Sequence, residues 1–174
     1  MTAVQIAKIL GAGRVVAAGR NEHVLSTLHE LGADSTIRLD KADEELIAAF
    51  RREAAEKRFD VIIDYLWGRP TEVLLKAITG KEFAIGESET RLVEVGESAG
   101  STITLPAAVL RSTALTILGT GGMPSWDLLT GAFQQVMNHA ASGTLRIQTE
   151  CVPLAEIEDA WERDAHSRRL VVIP

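Results

Sequence analysis

Met1-Thr-Ala-Val-Gln-Ile-Ala-Lys-Ile-Leu10-Gly-Ala-Gly-Arg-Val-Val-Ala-Ala-Gly-Arg20-Asn21 is the stretch whose reading decides the fold. Val4, Ile6, Ala7, Ile9 and Leu10 give a helix one apolar face that can pack on a sheet. Gly11 and Gly13 stop that helix, and the apolar run over 14–18 suits a short, buried parallel strand. The strand closes on Gly19-Arg20-Asn21. Gly11-Ala-Gly13 follows a helix and precedes a strand, the reverse of what a phosphate-binding glycine motif needs, so it reads as a helix stop.

The alternation continues outward. Residues 22–31 place apolar side chains at 24, 25, 28 and 31, with Asn21 as N-cap and Gly32 as stop. A short strand over 35–39 precedes a charged amphipathic helix over 40–57, with Leu46, Ile47, Ala49, Phe50 and Ala54 facing inward. Residues 59–66 are the strongest strand in the chain, and 70–78 a helix with Pro70 near its start. Strands follow over 91–96 and 114–119, and Ser125 caps a helix from Trp126 to Ala141. This order implies an α/β fold: a doubly wound parallel sheet in three layers. The tail changes character, with a strand over 145–152, a short helix over 153–161 and a last strand over 170–173. The expected division is therefore 1–141 and 142–174.

Composition narrows the function. The 174 residues are 46% hydrophobic and 5% aromatic, so aliphatic packing must dominate the core. A net charge of −6 provides no basic stripe for nucleic acid. A single cysteine, Cys151, excludes an internal disulfide and a cysteine-rich zinc site; its apolar-leaning strand makes it a core residue rather than a nucleophile. His23, His29, His139 and His166 have no ligand spacing, so no metal is expected. The acids at 44–45, 87 and 89 read as solvated faces. No apolar run reaches membrane-span length and no secretory layout opens the chain, so the expected location is the cytoplasm.

A helix that feeds a strand ending in Gly-Arg-Asn is what a Rossmann unit looks like without its first strand and glycine-rich turn. At the end of the second strand of that fold, an acid binds the adenosine ribose of NAD, whereas an arginine suits the 2′-phosphate of NADP. Here Gly19 takes the place of the acid and Arg20 follows it.

The order of motifs resembles the C-terminal half of the medium-chain dehydrogenase/reductase family, most closely its quinone-oxidoreductase-like branch. The resemblance rests on Ala3-Val-Gln-Ile-Ala-Lys-Ile-Leu-Gly-Ala12, Leu31-Gly-Ala-Asp34, Asp60-Val-Ile-Ile-Asp64 and Val93-Glu-Val-Gly96. Val152-Pro-Leu-Ala-Glu-Ile-Glu-Asp-Ala-Trp161 and Arg169-Leu-Val-Val-Ile-Pro174 complete it, so it spans essentially the whole chain. It implies NAD(P)-dependent hydride transfer to or from a carbonyl, alcohol, quinone or enone, with Arg20 and the missing acid at Gly19 pointing to NADP(H). It also implies that the substrate domain, first strand and pyrophosphate-binding turn are absent, the last two falling immediately before Thr2. Cofactor binding by this chain is therefore expected to be weak or absent. The gap left by a central strand would be covered by the strand over 170–173, by another copy of the chain, or by a rearranged sheet.

The resemblance places Gly19, Arg20, Asn21, Tyr65, Leu66, Gly96, Glu97 and Ser98 along the dinucleotide. Tyr65 and Trp67 either flank the cofactor or cover the sheet edge. Gly119-Thr-Gly-Gly-Met123 reads equally as a phosphate loop or as an exit from the last strand of the sheet. No catalytic residue is assigned, because the family's carbonyl-polarising groups lie in the absent domain. Ala114-Leu-Thr-Ile-Leu118 is expected to pair with a twofold copy, and a small-molecule substrate only in a full-length context. Two functions follow: the nucleotide-binding portion of an oxidoreductase, inactive alone, or a non-catalytic Rossmann-like assembly module that binds no cofactor.

Overall fold

The computed structural model describes residues 1–79, 89–122, 124–162 and 168–174. Two compact units divide the chain, one built from 14–29 and 33–123, the other from 1–13, 30–32 and 124–174. Helix α1 (Thr2–Ile9) belongs to the smaller unit, and β1 (Val16–Gly19) opens the larger. There follow α2 (Glu22–Leu28), β2 (Ser35–Arg38), α3 (Asp43–Glu56), β3 (Val61–Asp64), α4 (Gly68–Ile78), β4 (Thr90–Glu94), α5 (Ala107–Ser112) and β5 (Leu115–Gly119). This is the expected α/β alternation in a Rossmann-like fold. Helix α5 is the element that sequence periodicity passed over: six residues are too few to establish a helical period.

The parallel sheet is broken. β1 pairs with β2, and β3, β4 and β5 pair in that order, but no ladder joins β1 to β3. One apolar core joins the two blocks, with Arg69 of α4 donating across to the carbonyls of Leu39 and Lys41 beyond β2. Ile37 of β2 and Leu92 of β4 pack with Leu46 and Phe50 of α3 and with Val73 and Leu75 of α4, all buried. On the other face of β1, Gly19 admits Leu25 of α2; a Cβ there would meet the Leu25 Cδ2 at 3.3 Å. The β1–β2 block thus carries helices on both faces.

Each block ends in an open edge. Leu39 N donates to Gly19 O and Asp34 N to Val15 O, both at 2.8 Å, so alternate β1 residues from Val15 face β2. The backbone groups of Val16 and Ala18 then point to the free edge. On β3, Arg91 N donates to Asp60 O at 2.9 Å and Val95 N to Asp64 O at 2.7 Å, which leaves Val61 and Ile63 on the free edge. Their side chains are exposed as well, at 56% and 49%. The break lies where the resemblance leaves room for a further strand.

The amino ends of β1 and β2 are tied to α3 by charge. Arg14 donates to both Glu53 and Glu56 at 2.7 Å, and Ser35 Oγ donates to the second Glu53 oxygen at 2.8 Å. Glu53 is buried, and these partners satisfy it.

In the smaller unit, Gln5 on α1 exchanges two hydrogen bonds with the backbone of Arg146, at 2.9 and 2.8 Å. Helix α6 (Trp126–Ala141) starts at Ser125, whose hydroxyl accepts from Leu128 N. It buries no residue, and Trp126 and Phe133 are 80% and 73% exposed. β6 (Thr149–Pro153) leads through a 3-10 turn over Leu154–Glu156 into α7 (Ile157–Trp161), and β7 (Arg169–Ile173) pairs in parallel with β6. The C-terminal strand therefore finds its ladder partner in β6, within its own unit. Cys151 departs from expectation: it is exposed, because Val152 takes the buried alternation of β6.

Hydrogen exchange will test the two open edges. The amides of Ala18 and Ile63 are expected to exchange at least tenfold faster than those of Ile62 and Leu92. Equal protection of both sets would mean that the free edges are paired.

Candidate functional site

Open α/β sheets place ligands beyond the carboxyl ends of their strands. Just past that end of β1, Asn21 keeps an extended backbone and its Oδ1 accepts from Val24 N at 3.1 Å, capping α2 as the sequence predicts. Arg20 is exposed, and no carboxylate among the described residues pairs with it. Arg38, in register with Gly19 on the neighbouring strand, is engaged instead. Its guanidinium meets Glu22 at 2.6 Å and donates from Nε to Asp40 at 3.0 Å. The hydrogen bond from Arg38, followed by its charge, holds the Asp40 carboxyl below the usual carboxylate range, and Asp40 in turn raises Arg38. Arg38 is thereby neutralised locally, and Arg20 is the cation left to meet an anion at this strand end.

The second group sits after β3 and β4. Asp64, the last residue of β3, is buried. Its Oδ1 accepts from Leu66 N at 2.8 Å and from Trp67 N at 3.1 Å, and its Oδ2 accepts from the Thr71 hydroxyl on α4. The carbonyl of the same residue accepts from Val95 N and Gly96 N, at 2.7 and 3.2 Å. Beyond it, Tyr65 O accepts from the Ser98 hydroxyl at 3.0 Å and Leu66 O from Ala99 N at 2.7 Å. One residue therefore shapes its own loop and docks the next.

Close approach between these loops requires glycine at 68 and favours it at 96. Gly68 has φ +59°, and a Cβ there would lie 2.7 Å from the Ala99 carbonyl oxygen. A Cβ on Gly96 would lie 3.2 Å from the Tyr65 carbonyl oxygen. Trp67 also has a positive φ, 54°, which is strained for a bulky residue. Its ring is partly buried against the core, and Tyr65 remains half exposed.

Of the anticipated residues, the structure brings Tyr65, Leu66, Gly96, Glu97 and Ser98 into this interlocked pair of loops. It leaves Gly19, Arg20 and Asn21 as a separate group on the other block, and no hydrogen bond among the described residues links the two. Sequence reasoning missed Asp64 and Thr71. An aspartate that ends a strand just before a turn is the available signal, since its carboxylate can hold the backbone two and three residues on. Gly119 to Gly122 leave β5 without close neighbours: a Cβ on Gly119, Gly121 or Gly122 would meet nothing within 4 Å. Met123 and the acid at 87, like His166, lie outside the described residues.

The comparisons with known proteins fit this geometry. A family profile described as zinc-binding dehydrogenase matches residues 1–142. No curated protein matches the chain. Among solved structures, the chain is similar to AibC at 27% identity, with a TM-score of 0.73, over 98% of this chain and 48% of that one. It is similar to the Escherichia coli quinone oxidoreductase complexed with NADPH at 19% identity, with a TM-score of 0.71, over 99% and 53%. A quinone oxidoreductase of Pseudomonas syringae pv. Tomato DC3000 gives 20% identity and a TM-score of 0.67, over 99% and 52%. The chain spans about half the length of each of these structures.

A zinc ion, as that family description implies, finds no matching donor set: no three His, Cys, Asp or Glu side chains come together among the described residues. What the two strand ends do present is glycine at each and, at one of them, an arginine without a carboxylate partner among the described residues.

Asp64 provides the test of this site's architecture. Asp64→Ala leaves two loop amides and the Thr71 hydroxyl without an acceptor and is expected to cost about 3 kcal/mol in urea unfolding. Asp64→Asn keeps the Oδ1 acceptor and is expected to cost about 1 kcal/mol. Equal losses would mean that the hydrogen bonds to Oδ1 do not hold the loop.

Proposed function

From the premise that this chain belongs to the zinc-binding dehydrogenase family, matched over residues 1–142, we propose that it is the nucleotide-binding portion of an NADP(H)-dependent oxidoreductase. On this reading the whole enzyme resembles quinone and enone reductases and alcohol dehydrogenases. The observation that carries the reading is Arg20: exposed, without a carboxylate partner among the described residues, and next to Gly19 at the carboxyl end of β1.

Arg20 would supply a charge-assisted fork to a ribose 2′-phosphate. Gly19 keeps that strand end free of a competing acid, and Asn21 fixes the start of α2. Tyr65, Leu66, Gly96, Glu97 and Ser98 would line the path of the dinucleotide, with Gly96 permitting backbone approach. When bound, the cofactor supplies a hydride; what this chain adds is placement and exclusion of water. None of its residues is assigned to polarise the substrate carbonyl, and alone it is expected to turn over neither quinone nor alcohol.

The chain carries no G-x-G-x-x-G turn between a strand and a helix, the usual anchor of the pyrophosphate. Binding is accordingly weak on this reading, and the 2′-phosphate contact makes up a large share of it. The same feature, with the broken sheet, favours the second reading: a Rossmann-like assembly module without cofactor.

Fluorescence titration separates the two. NADPH is expected to bind more tightly than NADH, and Arg20→Ala to remove most of the difference, roughly tenfold or more for a charge-assisted contact. Equal affinity for the two cofactors would sink the NADP assignment, and no binding of either would leave the assembly module.

We further propose that the chain forms a homodimer through the segment from Ala114 to Leu118. β5 pairs only with β4 among the described residues, and the segment bears no charge or proline to protect its outer edge. Thr90 N donates to Ala114 O, so Ala114 and Thr116 face β4 and the Ile117 amide faces the outer edge. Ile117→Pro removes that outer donor and is expected to yield a monomer by light scattering. A folded mutant that stays dimeric rules out this interface.

A further inference from the structure

We propose that the cavity at the amino edge of β4 and β5 binds a small organic carboxylate with an apolar tail. The cavity has a volume of about 230 Å³ and lies in the larger unit, near the ends of α3, α4 and α5. Its walls divide by chemistry. Phe59, Ile78 and Leu115 form an apolar floor, and Arg58 and Arg111 contribute two guanidinium groups. This is the opposite end of the strands from the Gly19 and Gly96 loops, so the proposal stands independently of any cofactor.

Arg58 is half-buried and oriented. Its Nε donates to Thr90 Oγ1 at 3.2 Å, and that hydroxyl donates to the Phe59 carbonyl at 2.8 Å. Arg14, Arg38, Arg69, Arg91 and Arg168 each hold a carboxylate within 4 Å. Arg58 and Arg111 hold none among the described residues. In a chain of net charge −6, two arginines that line one cavity, with no acid among its described lining residues, leave an anion as the complementary partner.

A planar guanidinium fork matches the two oxygens of a carboxylate. The apolar floor selects an anion that carries hydrocarbon over a bare inorganic one. The volume lies below the roughly 300–1,000 Å³ of drug-sized sites, which restricts the ligand to a small molecule. Arginines near helix carboxyl ends also neutralise terminal carbonyls. That role requires no ligand, and the experiment must separate it.

The test is an NMR titration of the ¹⁵N-labelled chain with benzoate, benzyl alcohol as its neutral counterpart, and inorganic phosphate as an anion without a tail. Benzoate is expected to shift the amides of Thr90, Thr113 and Leu115 saturably, with the other two probes roughly tenfold weaker or worse. Arg58→Gln and Arg111→Gln are each expected to weaken benzoate about tenfold, and Arg111→Lys, which keeps the charge, by less. Arg111 is exposed, so its variants carry the test even if Arg58→Gln does not fold.

No saturable benzoate shift overturns the proposal, and so does an equal response to benzyl alcohol or to phosphate. Unchanged benzoate affinity in folded Arg111→Gln, with a lowered Tm, would assign the arginine to helix-end neutralisation instead.

Discussion

A strand in a parallel sheet divides its backbone donors and acceptors between two edges, and β1 and β3 each have a partner on only one. No strand ladder therefore joins the two blocks of the larger unit; the hydrogen bonds that cross between them come from side chains, Arg69 of α4 donating to Leu39 O at 3.3 Å and Lys41 O at 2.6 Å. Beside them lies the apolar layer in which Ile37 and Leu92 meet α3 and α4. Apolar contact is non-directional: it fixes proximity far better than register. Within each block the ladders fix register residue by residue, as in Val16 opposite Ser35 or Ile62 opposite Leu92. The larger unit thus combines two blocks with ladder-fixed register and a relation between them set by core packing and a few side-chain bonds.

The two candidate groups divide along the same line. Gly19, Arg20 and Asn21 belong to the β1–β2 block, whereas Tyr65, Leu66 and the loop from Gly96 to Ser98 belong to the block of β3, β4 and β5. Inside the second group, Asp64 makes the loops one body through its side chain and its carbonyl. The strained backbone at Trp67 fits that role. A bulky residue at positive φ persists only where its surroundings over-determine it, and here Asp64 binds the Trp67 amide while the core holds part of the ring.

Much of this was legible in the sequence because the relevant signals are local. The caps at Asn21 and Ser125 form as their residue types predict. The inward positions of α3 are those of its apolar spacing, with Leu46, Phe50 and Ala54 buried. The less legible features are those that depend on distant partners. Nothing in the helical pattern of 40–57 marks Glu53 as the buried acceptor for Arg14 and Ser35, each from a different element. Cys151 was misjudged for a similar reason: in a strand whose faces are not known, alternation says that neighbours differ without saying which one is inside. The short α5 lacked a full period to read, and the double role of Asp64 required knowing that the loops after β3 and β4 meet.

On the proposed cofactor reading, these divisions acquire a thermodynamic meaning. A dinucleotide that touched Arg20 at one end and the loop from Gly96 at the other would bridge two blocks joined by core packing and a few side-chain bonds but by no strand ladder. Part of its binding energy would then fix their relation. Anything else that fixed the blocks, such as a strand paired to both free edges, would remove that cost before the ligand arrived. Linkage makes the effect reciprocal: the strand and the ligand would each bind more tightly in the presence of the other, by the same factor. In such a design, weak binding by the isolated chain and tight binding in a completed sheet are two readings of one coupling, and neither requires a change in any residue that touches the ligand.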